Sequence, residues 1–233
     1  MTKNIIAIGG GGFGRGIGSR EIEKYILGQS EVRRPKICFI PTATGDNDQY
    51  KVNFYATFTK LNCIPVHLDL FKRTPDLKTL INAQDVIFVG GGNTMSMLGV
   101  WKQWGLDKIL RQAYNKGTVM SGVIAGAICW FDKGITDSWK ESQATLNCLG
   151  FVSGVCCPHY DEEPERIPYV KKILTENQVN EVYAIEGYAA LHIIDDVPRY
   201  SISFKNDTHC HKVSKIDDSI THTSINGIIR IDL

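Results

Sequence analysis

The sequence predicts an α/β fold in which helices flank a mainly parallel open sheet, with antiparallel β-strands added near the C-terminus. Short apolar runs alternate with helical patterns from the start of the chain to about residue 130. Such alternation is typical of right-handed βαβ units, which build parallel sheets. After residue 180 the pattern changes to short β-like segments separated by turn residues. We find no linker or repeat, so we expect one domain over 1–233.

Each predicted element follows from the spacing of its apolar residues. Apolar residues recur at helical spacing in 20–28, 48–61 and 94–116. In the last range they fall on one face before Gly105 and on another stretch after it. Near the C-terminus, "EVYAIEG", "AALHII", "RYSISF", "CHKVS" and "GIIRIDL" predict antiparallel hairpins. Five apolar runs predict buried strands: "NIIAI" (4–8), "KICFI" (36–40), "CIPVHL" (63–68), "DVIFV" (85–89) and "GTVMSG" (117–122).

Charge and composition narrow the classes of partner. The formal net charge is +1, from 26 basic and 25 acidic side chains, so we expect neither a nucleic-acid nor a membrane partner. No apolar run approaches the roughly 20 residues that span a bilayer. The seven cysteines are an odd number and scattered, which favours buried free thiols in a reducing compartment. The apolar run at the N-terminus is too short for a signal peptide, so we expect a cytoplasmic protein.

Two glycine-rich turns follow predicted strands directly. In "GGGGFGRG" (9–16), Gly9, Gly11 and Gly14 match G-x-G-x-x-G, but no acidic residue ends the second strand as a dinucleotide site requires. We therefore expect a tight turn with close backbone approach and no cofactor. The turn "VGGGNT" (89–94) leaves backbone N–H groups free to bind an anion or a developing oxyanion, although a plain tight turn fits equally well.

A third turn, "SGVIAGA", resembles a nucleophile elbow with the wrong residue at its centre. Gly122 and Gly126 flank Ile124 where such elbows carry a serine or cysteine, between a predicted strand and a helix expected to include "ICWF". We predict that Ile124 keeps the strained conformation, with its side chain blocking the crevice. The three turns should lie along one edge of the sheet, where α/β sheets bind ligands.

Two further residues are candidates for the chemistry that an elbow needs. His159 lies in the loop segment "CCPHYDEEPER", and Glu186 ends a predicted strand in "AIEGYAA". A structural histidine and a solvated glutamate remain open as alternatives. His209, Cys210, His211 and His222 also lie close in sequence, but we expect a solvated hairpin and no metal there.

Taken together, these motifs resemble the family of peptidase E, the serine-type aspartyl dipeptidases, which also contains the cyanophycinases. The matching pieces run in order from "IIAIGGGG" through "RPKICFIPTATGD", "VGGGNT", "GVIAGAICWF" and "CPHYDEEPERIP" to "IEGYAALH". The resemblance implies the fold of class I glutamine amidotransferases. It also implies site roles for this chain: Ile124 at the position of the nucleophilic serine, His159 as general base, Glu186 as its acidic partner, Gly91 and Ala125 as oxyanion donors, and Arg166 and Asn93 as substrate-binding residues.

Because isoleucine stands at position 124, two hypotheses for the function remain. The parent chemistry implied by the resemblance is hydrolysis of Asp-X peptide bonds by a Ser-His-Glu mechanism, which isoleucine disables because it has no oxygen or sulfur to attack with. Ser121 and Cys129 would serve only if the elbow were rebuilt. The alternative is a non-catalytic protein that binds a peptide or small acid on the same scaffold. A homodimer is possible under either hypothesis.

Overall fold

The computed structural model describes residues 2–15, 20–139, 142–205, 207–217, 219–225 and 227–231. Residue 16 of the first glycine-rich turn lies outside this part. The helices are α1 (Glu21–Leu27), α2 (Asp48–Phe58), α3 (Leu77–Asn82), α4 (Thr94–Trp104), α5 (Leu106–Asn115), α6 (Ala125–Ile128) and α7 (Arg166–Thr175). The strands are β1 (Asn4–Ile8), β2 (Lys36–Ile40), β3 (Ile64–His67), β4 (Val86–Val89), β5 (Val119–Val123), β6 (Phe131–Thr136), β7 (Ala144–Asn147), β8 (Val152–Cys157), β9 (Glu181–Ile185), β10 (Ala189–Ile194), β11 (Val197–Ser203), β12 (Cys210–Ile216), β13 (Ser219–Ser224) and β14 (Ile228–Arg230).

The larger sheet confirms the predicted α/β fold. Within the described residues it has eight strands in the order β14-β11-β10-β1-β5-β4-β2-β3. From β1 to β3 all neighbouring strands are parallel, and they correspond to the five apolar runs of the sequence. β10 adds to β1 antiparallel, and β11 adds to β10 in the same way. β10 and β11 therefore extend the parallel sheet at its β1 side as antiparallel strands, whereas β14, expected to be antiparallel, pairs with β11 in parallel.

A second sheet was not predicted. Its six described strands have the order β13-β12-β9-β8-β6-β7. The helix after the elbow is only one turn long and ends at Ile128, so the expectation of a helix through "ICWF" was wrong: Phe131 already begins β6. Gly134 of β6 packs against Ile128 so closely that a β-carbon there would lie 1.8 Å from Cγ2 of Ile128. Packing on this second sheet overrides the local helical pattern.

Successive side chains of the parallel strands point to opposite faces of the larger sheet and form a hydrophobic core on each face. Ile5 and Ala7 of β1 pack into one cluster with Met97 and Trp101 of α4. The neighbouring residues of β1 pack into another cluster, with the aromatic side chains of Phe13, Phe39, Phe54, Phe58 and Phe88. Because successive side chains point to opposite faces of a strand, continuous apolar runs are what a sheet covered on both faces requires.

The long helical pattern at 94–116 forms two helices. Gly105 separates α4 from α5 with φ of 66°, a left-handed conformation that glycine adopts without strain. None of the helices in the described part of the chain combines the length and apolar character needed to cross a bilayer.

His192 of β10 joins three elements below the surface. Its Nδ1 lies 2.8 Å from the hydroxyl of Tyr25 on α1, and its Nε2 lies 3.0 Å from Oδ1 of Asn4 on β1. Since an amide oxygen only accepts, Nε2 carries the proton and Nδ1 accepts from the tyrosine. Burial lowers the pKa of His192 from 6.5 to about 4, so the folded protein favours the neutral ring.

The protein should therefore lose stability as His192 becomes protonated. The folded-state pKa lies below the unfolded value, so the contribution is complete above pH 6.5 and is lost as the pH falls towards 4. At pH 5 the loss amounts to about 2 kcal/mol of unfolding free energy. Urea unfolding at pH 7 and pH 5 measures it, with His192→Gln as the control that cannot titrate. An equal loss in both proteins would assign the acid sensitivity to other groups.

Candidate functional site

The three turns meet at one edge of the larger sheet, as predicted. In the parallel register Ile8 of β1 lies opposite Val123 of β5, and Val89 of β4 lies opposite Gly122 of β5. β5 is the central strand of the three, so its turn stands between the turns that follow β1 and β4. The carboxyl ends of parallel strands at such an edge are where α/β proteins bind ligands.

Ile124 adopts the strained elbow conformation. Its φ is 59° and its ψ is −108°, which confirms the predicted positive φ for a β-branched residue. The Ile124 N–H donates to the carbonyl of Ile8 at 3.1 Å. A β-carbon on Gly126 would lie 2.2 Å from the carbonyl oxygen of Val89, and one on Gly122 would lie 2.4 Å from that of Gly126. Close backbone packing on both sides therefore holds the turn, whichever side chain stands at its centre.

The side chain of Ile124 covers the glycine turn after β4. A β-carbon built on Gly91 would lie 3.0 Å from Cδ1 of Ile124 and 3.1 Å from its Cβ. Ala125 is the first residue of α6, and the amide N–H groups of a first helical turn have no acceptor within their own helix. Gly91 and Ala125 thus lie on either side of Ile124, which is the arrangement expected of oxyanion donors. Their role as donors stays a prediction.

Neither neighbouring nucleophile can act from the position of Ile124 in this conformation. The Ser121 hydroxyl is buried and donates to the carbonyl of Ile87 at 2.8 Å. The Cys129 thiol is buried too and donates to the carbonyl of Gly126 at 3.3 Å. Burial raises the pKa of Cys129 well above its usual value, which keeps the thiol protonated and unreactive.

His159 is held beside the first glycine turn. Its φ is 53°, and its N–H donates to the carbonyl of Gly9 at 3.3 Å, one residue beyond the carbonyl that binds Ile124. The imidazole is buried, and its Nδ1 lies 2.5 Å from Oε2 of Glu162. Nη2 of Arg15 is 3.1 Å from the same nitrogen. The backbones of the elbow and of the histidine loop are therefore tied to consecutive residues of one chain segment.

The carboxylate that contacts His159 directly is Glu162, while the assignment of Glu186 as its acidic partner stays a prediction. Glu186 accepts from the backbone N–H of His209 at 2.7 Å and contacts Nε2 of His211 at 3.1 Å. Its carboxylate therefore holds the β12 hairpin, and the structure shows no bond from it to His159 among the described residues. The only sequence signal for Glu162 was its position three residues after the histidine.

Arg15 fixes the charge of this carboxylate. One guanidinium nitrogen contacts Oε1 of Glu162, and Nη2 lies 2.7 Å from Oε2. The hydrogen bonds from Arg15, followed by that from His159, lower the pKa of Glu162 to about 2. The Arg15 pKa is raised in turn, mainly by its hydrogen bond to Glu162. Glu162 is therefore ionised at neutral pH and accepts hydrogen bonds from both partners.

Two residues that were predicted to bind substrate, Arg166 and Asn93, form hydrogen bonds to structural groups of the protein. Arg166 is buried, with Nε 2.7 Å from Glu163 and Nη1 3.0 Å from the carbonyl of Ile135. Asn93 caps α4 by accepting from the N–H of Ser96 at 2.8 Å, and its amide donates to the carbonyl of Ser138 at 2.7 Å. Both side chains thus have structural partners, and their role in substrate binding stays a prediction.

The C-terminal histidines form a row instead of a ligand cage. The ring centroids of His209 and His211 lie 6.2 Å apart, and those of His211 and His222 lie 6.1 Å apart. Nε2 of His222 is 2.8 Å from the Tyr160 hydroxyl. The described residues include no group of three or more His, Cys, Asp or Glu placed to bind a metal ion.

A cavity of about 410 Å³ opens beside the elbow. Its lining includes Arg15, Tyr50, Gly91 and Ile124. Its lining contains no acidic side chain within the described residues. A cavity lined by an arginine and several amide side chains favours a polar ligand that can accept hydrogen bonds.

Comparison with known proteins agrees with the fold and with the family resemblance. A model of Peptidase family S51 matches residues 5–200. The uncharacterized peptidase YgaJ of Bacillus subtilis (strain 168) is 43% identical over 219 residues, covering 94% of this chain and 95% of the relative. Peptidase E of Haemophilus influenzae is 29% identical over 179 residues, 70% of this chain and 79% of the relative. The crystal structure of a peptidase from an acI-B1 Actinobacterium shares the fold, with a TM-score of 0.68 over 97% of this chain and 96% of that chain, at 17% identity.

Proposed function

Since the chain belongs to peptidase family S51, we propose that it binds a small peptide or acid bearing a carboxylate in the cavity beside Ile124, without serine-type cleavage. The parent chemistry would be hydrolysis of Asp-X dipeptides, as the resemblance to peptidase E implies. The observation that carries the proposal is the elbow itself, which keeps a positive φ at 124 although its side chain cannot attack.

The surroundings of the elbow support binding without turnover. Ile124 lies over Gly91, where a reacting carbonyl oxygen would need to approach. The nearest hydroxyl and thiol along the chain, Ser121 and Cys129, are buried and bonded to backbone carbonyls. Arg15 lines the cavity and is held in place by its bond to Glu162, so its N–H groups are positioned near a bound ligand.

Aspartyl-alanine is the probe that tests the proposal. The protein should bind it in calorimetry, more tightly than alanyl-alanine, because only the former adds a side-chain carboxylate that can accept hydrogen bonds from Arg15 and the amide side chains of the cavity. Chromatography of the same mixture after long incubation should show the intact dipeptide. Arg15→Gln should weaken binding by about tenfold or more, as loss of a charged hydrogen-bonding partner does. Hydrolysis of the dipeptide, with or without fluorophosphonate treatment, or no binding of either dipeptide, would overturn the proposal.

A further inference from the structure

Glu162 lies in a slot that two glycines leave open beside His159. A β-carbon on Gly187 would lie 2.5 Å from Cδ of Glu162, and one on Gly10 would lie 3.1 Å from its Oε2. The same Oε2 is 2.5 Å from Nδ1 of His159. The Glu162 N–H also donates to the carbonyl of His159 at 3.1 Å, which closes a tight turn between the two residues. The backbone around the slot therefore brings the carboxylate to one nitrogen of the imidazole.

The contacts of Nδ1 determine which nitrogen of the neutral His159 ring carries the proton. The ionised carboxylate of Glu162 can only accept hydrogen bonds, and the guanidinium of Arg15 can only donate them. Nδ1 lies 2.5 Å from the carboxylate and 3.1 Å from Nη2 of Arg15. A lone pair on Nδ1 would face the lone pairs of the carboxylate at the shorter of these distances. The proton therefore belongs on Nδ1, from which it is donated to an ionised acceptor, and such hydrogen bonds are the stronger kind.

Nε2 of His159 is then the nitrogen that carries the lone pair. Among the described residues the structure shows no hydrogen bond to Nε2, since both polar contacts of the ring are made by Nδ1. A neutral imidazole that donates from Nδ1 accepts through Nε2, which is the form that takes a proton from a nucleophile. Arg15 stays paired with both oxygens of Glu162, so its part is to hold the carboxylate ionised and in place.

From these contacts we infer that Glu162, and not Glu186, is the residue that positions His159 as a proton acceptor. Glu162 acts through the imidazole, so it is a positioning residue. Both oxygens of Glu186 are engaged in the β12 hairpin, one by the N–H of His209 and the other by Nε2 of His211. The inference goes beyond the proposed function, because the tautomer of His159 is a property of the protein with or without a ligand. It implies that the chain lacks the nucleophile but retains the base and its orienting carboxylate.

The test reads the tautomer of His159 from long-range ¹⁵N–¹H spectra, recorded at a pH high enough that the ring is neutral. His159→Gln identifies the signals of this ring among the six histidines. The unaltered protein should show a protonated Nδ1 and an unprotonated Nε2. In Glu162→Ala the neighbour left at Nδ1 is Arg15, which donates, so the proton should move to Nε2. Glu165→Ala removes an exposed carboxylate from the same loop and should leave the tautomer unchanged.

Kinetics of Ile124→Ser provide a second readout. Adding Glu162→Ala to that variant should lower kcat for aspartyl-alanine by up to about 10⁴-fold, the loss that a wrong histidine tautomer causes in serine proteases. KM should change little, because Glu162 acts on the proton transfer and not on the binding of the dipeptide. Adding Glu165→Ala instead should change neither constant.

The spectra settle the inference whether or not the serine variant hydrolyses the dipeptide. An Nε2–H tautomer in the unaltered protein, or an Nδ1–H tautomer that persists in Glu162→Ala, would overturn it, and so would a tautomer that only Glu186→Gln changes. Gly187→Ala keeps the glutamate but places a methyl group against its carboxylate, so it should move the proton as Glu162→Ala does. The test therefore does not depend on the folding of one variant. Failure of the dipeptide to bind would overturn the proposed function alone.

Discussion

Ile124→Ser should convert a protein with negligible hydrolysis of aspartyl-alanine into a measurable dipeptidase. The elbow already has the backbone conformation that presents a nucleophile, and His159 is held by Glu162 on the adjoining segment. The nucleophile of such a catalytic unit typically contributes a factor of about 10⁶ in turnover. We expect at least about a thousandfold of this to return, because the pocket around the new hydroxyl has not been adapted to it.

Ile124→Ala is the matched control for this prediction. It shortens the side chain as serine does, and it opens the space over Gly91, but it supplies no oxygen. Hydrolysis should appear in the serine variant alone, and fluorophosphonate should label that variant and abolish its activity. Equal rates in the two variants, with both proteins folded, would show that the histidine does not serve position 124.

Stability provides a second readout of the same substitution. A β-branched residue at positive φ is strained by about 1–3 kcal/mol, and a smaller side chain relieves part of that strain. Truncating an ordinary buried isoleucine to alanine costs about 2–5 kcal/mol. Ile124→Ser should therefore unfold at nearly the same urea concentration as the unaltered protein. A loss typical of core truncation would mean that the packing of Ile124 outweighs its strain.

Gly126→Ala should be among the most destabilising single substitutions in the chain. The added methyl group would lie 2.2 Å from the carbonyl oxygen of Val89 and 2.8 Å from its Cβ. Val89 belongs to β4 in the interior of the larger sheet, so the backbone has no room to move away. Overpacking typically costs about 1–3 kcal/mol, and the 2.2 Å backbone contact places this substitution at the upper end, which denaturant unfolding measures directly.

The control for this substitution is another helical glycine. Gly99 lies within α4, and a β-carbon there would meet no atom within 4 Å. Gly99→Ala should raise the unfolding free energy by up to about 1 kcal/mol, since alanine favours a helix more than glycine does. Similar losses in both variants would show that helix propensity, and not contact with Val89, governs Gly126.

The parallel half of the fold was predictable because each of its strands coincides with an apolar run in the sequence. A strand covered on both faces must be apolar throughout, and a turn of glycines must follow where backbones approach closely. The strained φ of Ile124 was predictable for the same reason, since Gly122 and Gly126 mark the close packing of the elbow. These features depend on residues near one another in the sequence.

The hydrogen-bond and ion-pair partners of the site residues could not be predicted, because tertiary contacts determine them. Arg15 reaches Glu162 across 147 positions of sequence, and no local pattern indicates that pair. Glu186 and Arg166 occupy the positions that the family resemblance assigns to the site, yet each is bound to a neighbouring structural group. The second sheet was missed for a related reason, as its strand β6 begins three residues after the end of a one-turn helix.

Neighbouring residues hold the backbone of the elbow at Ile124, and this determines what a single mutation at that position can produce. The Ile8 carbonyl and the two flanking glycines hold the turn whether or not its central residue can attack. The isoleucine codons AUU and AUC become the serine codons AGU and AGC when the middle base alone changes. A gene carrying either codon therefore stands a single point mutation from a serine at this position. That mutation would place a hydroxyl on a turn that already has the backbone conformation of a nucleophile elbow.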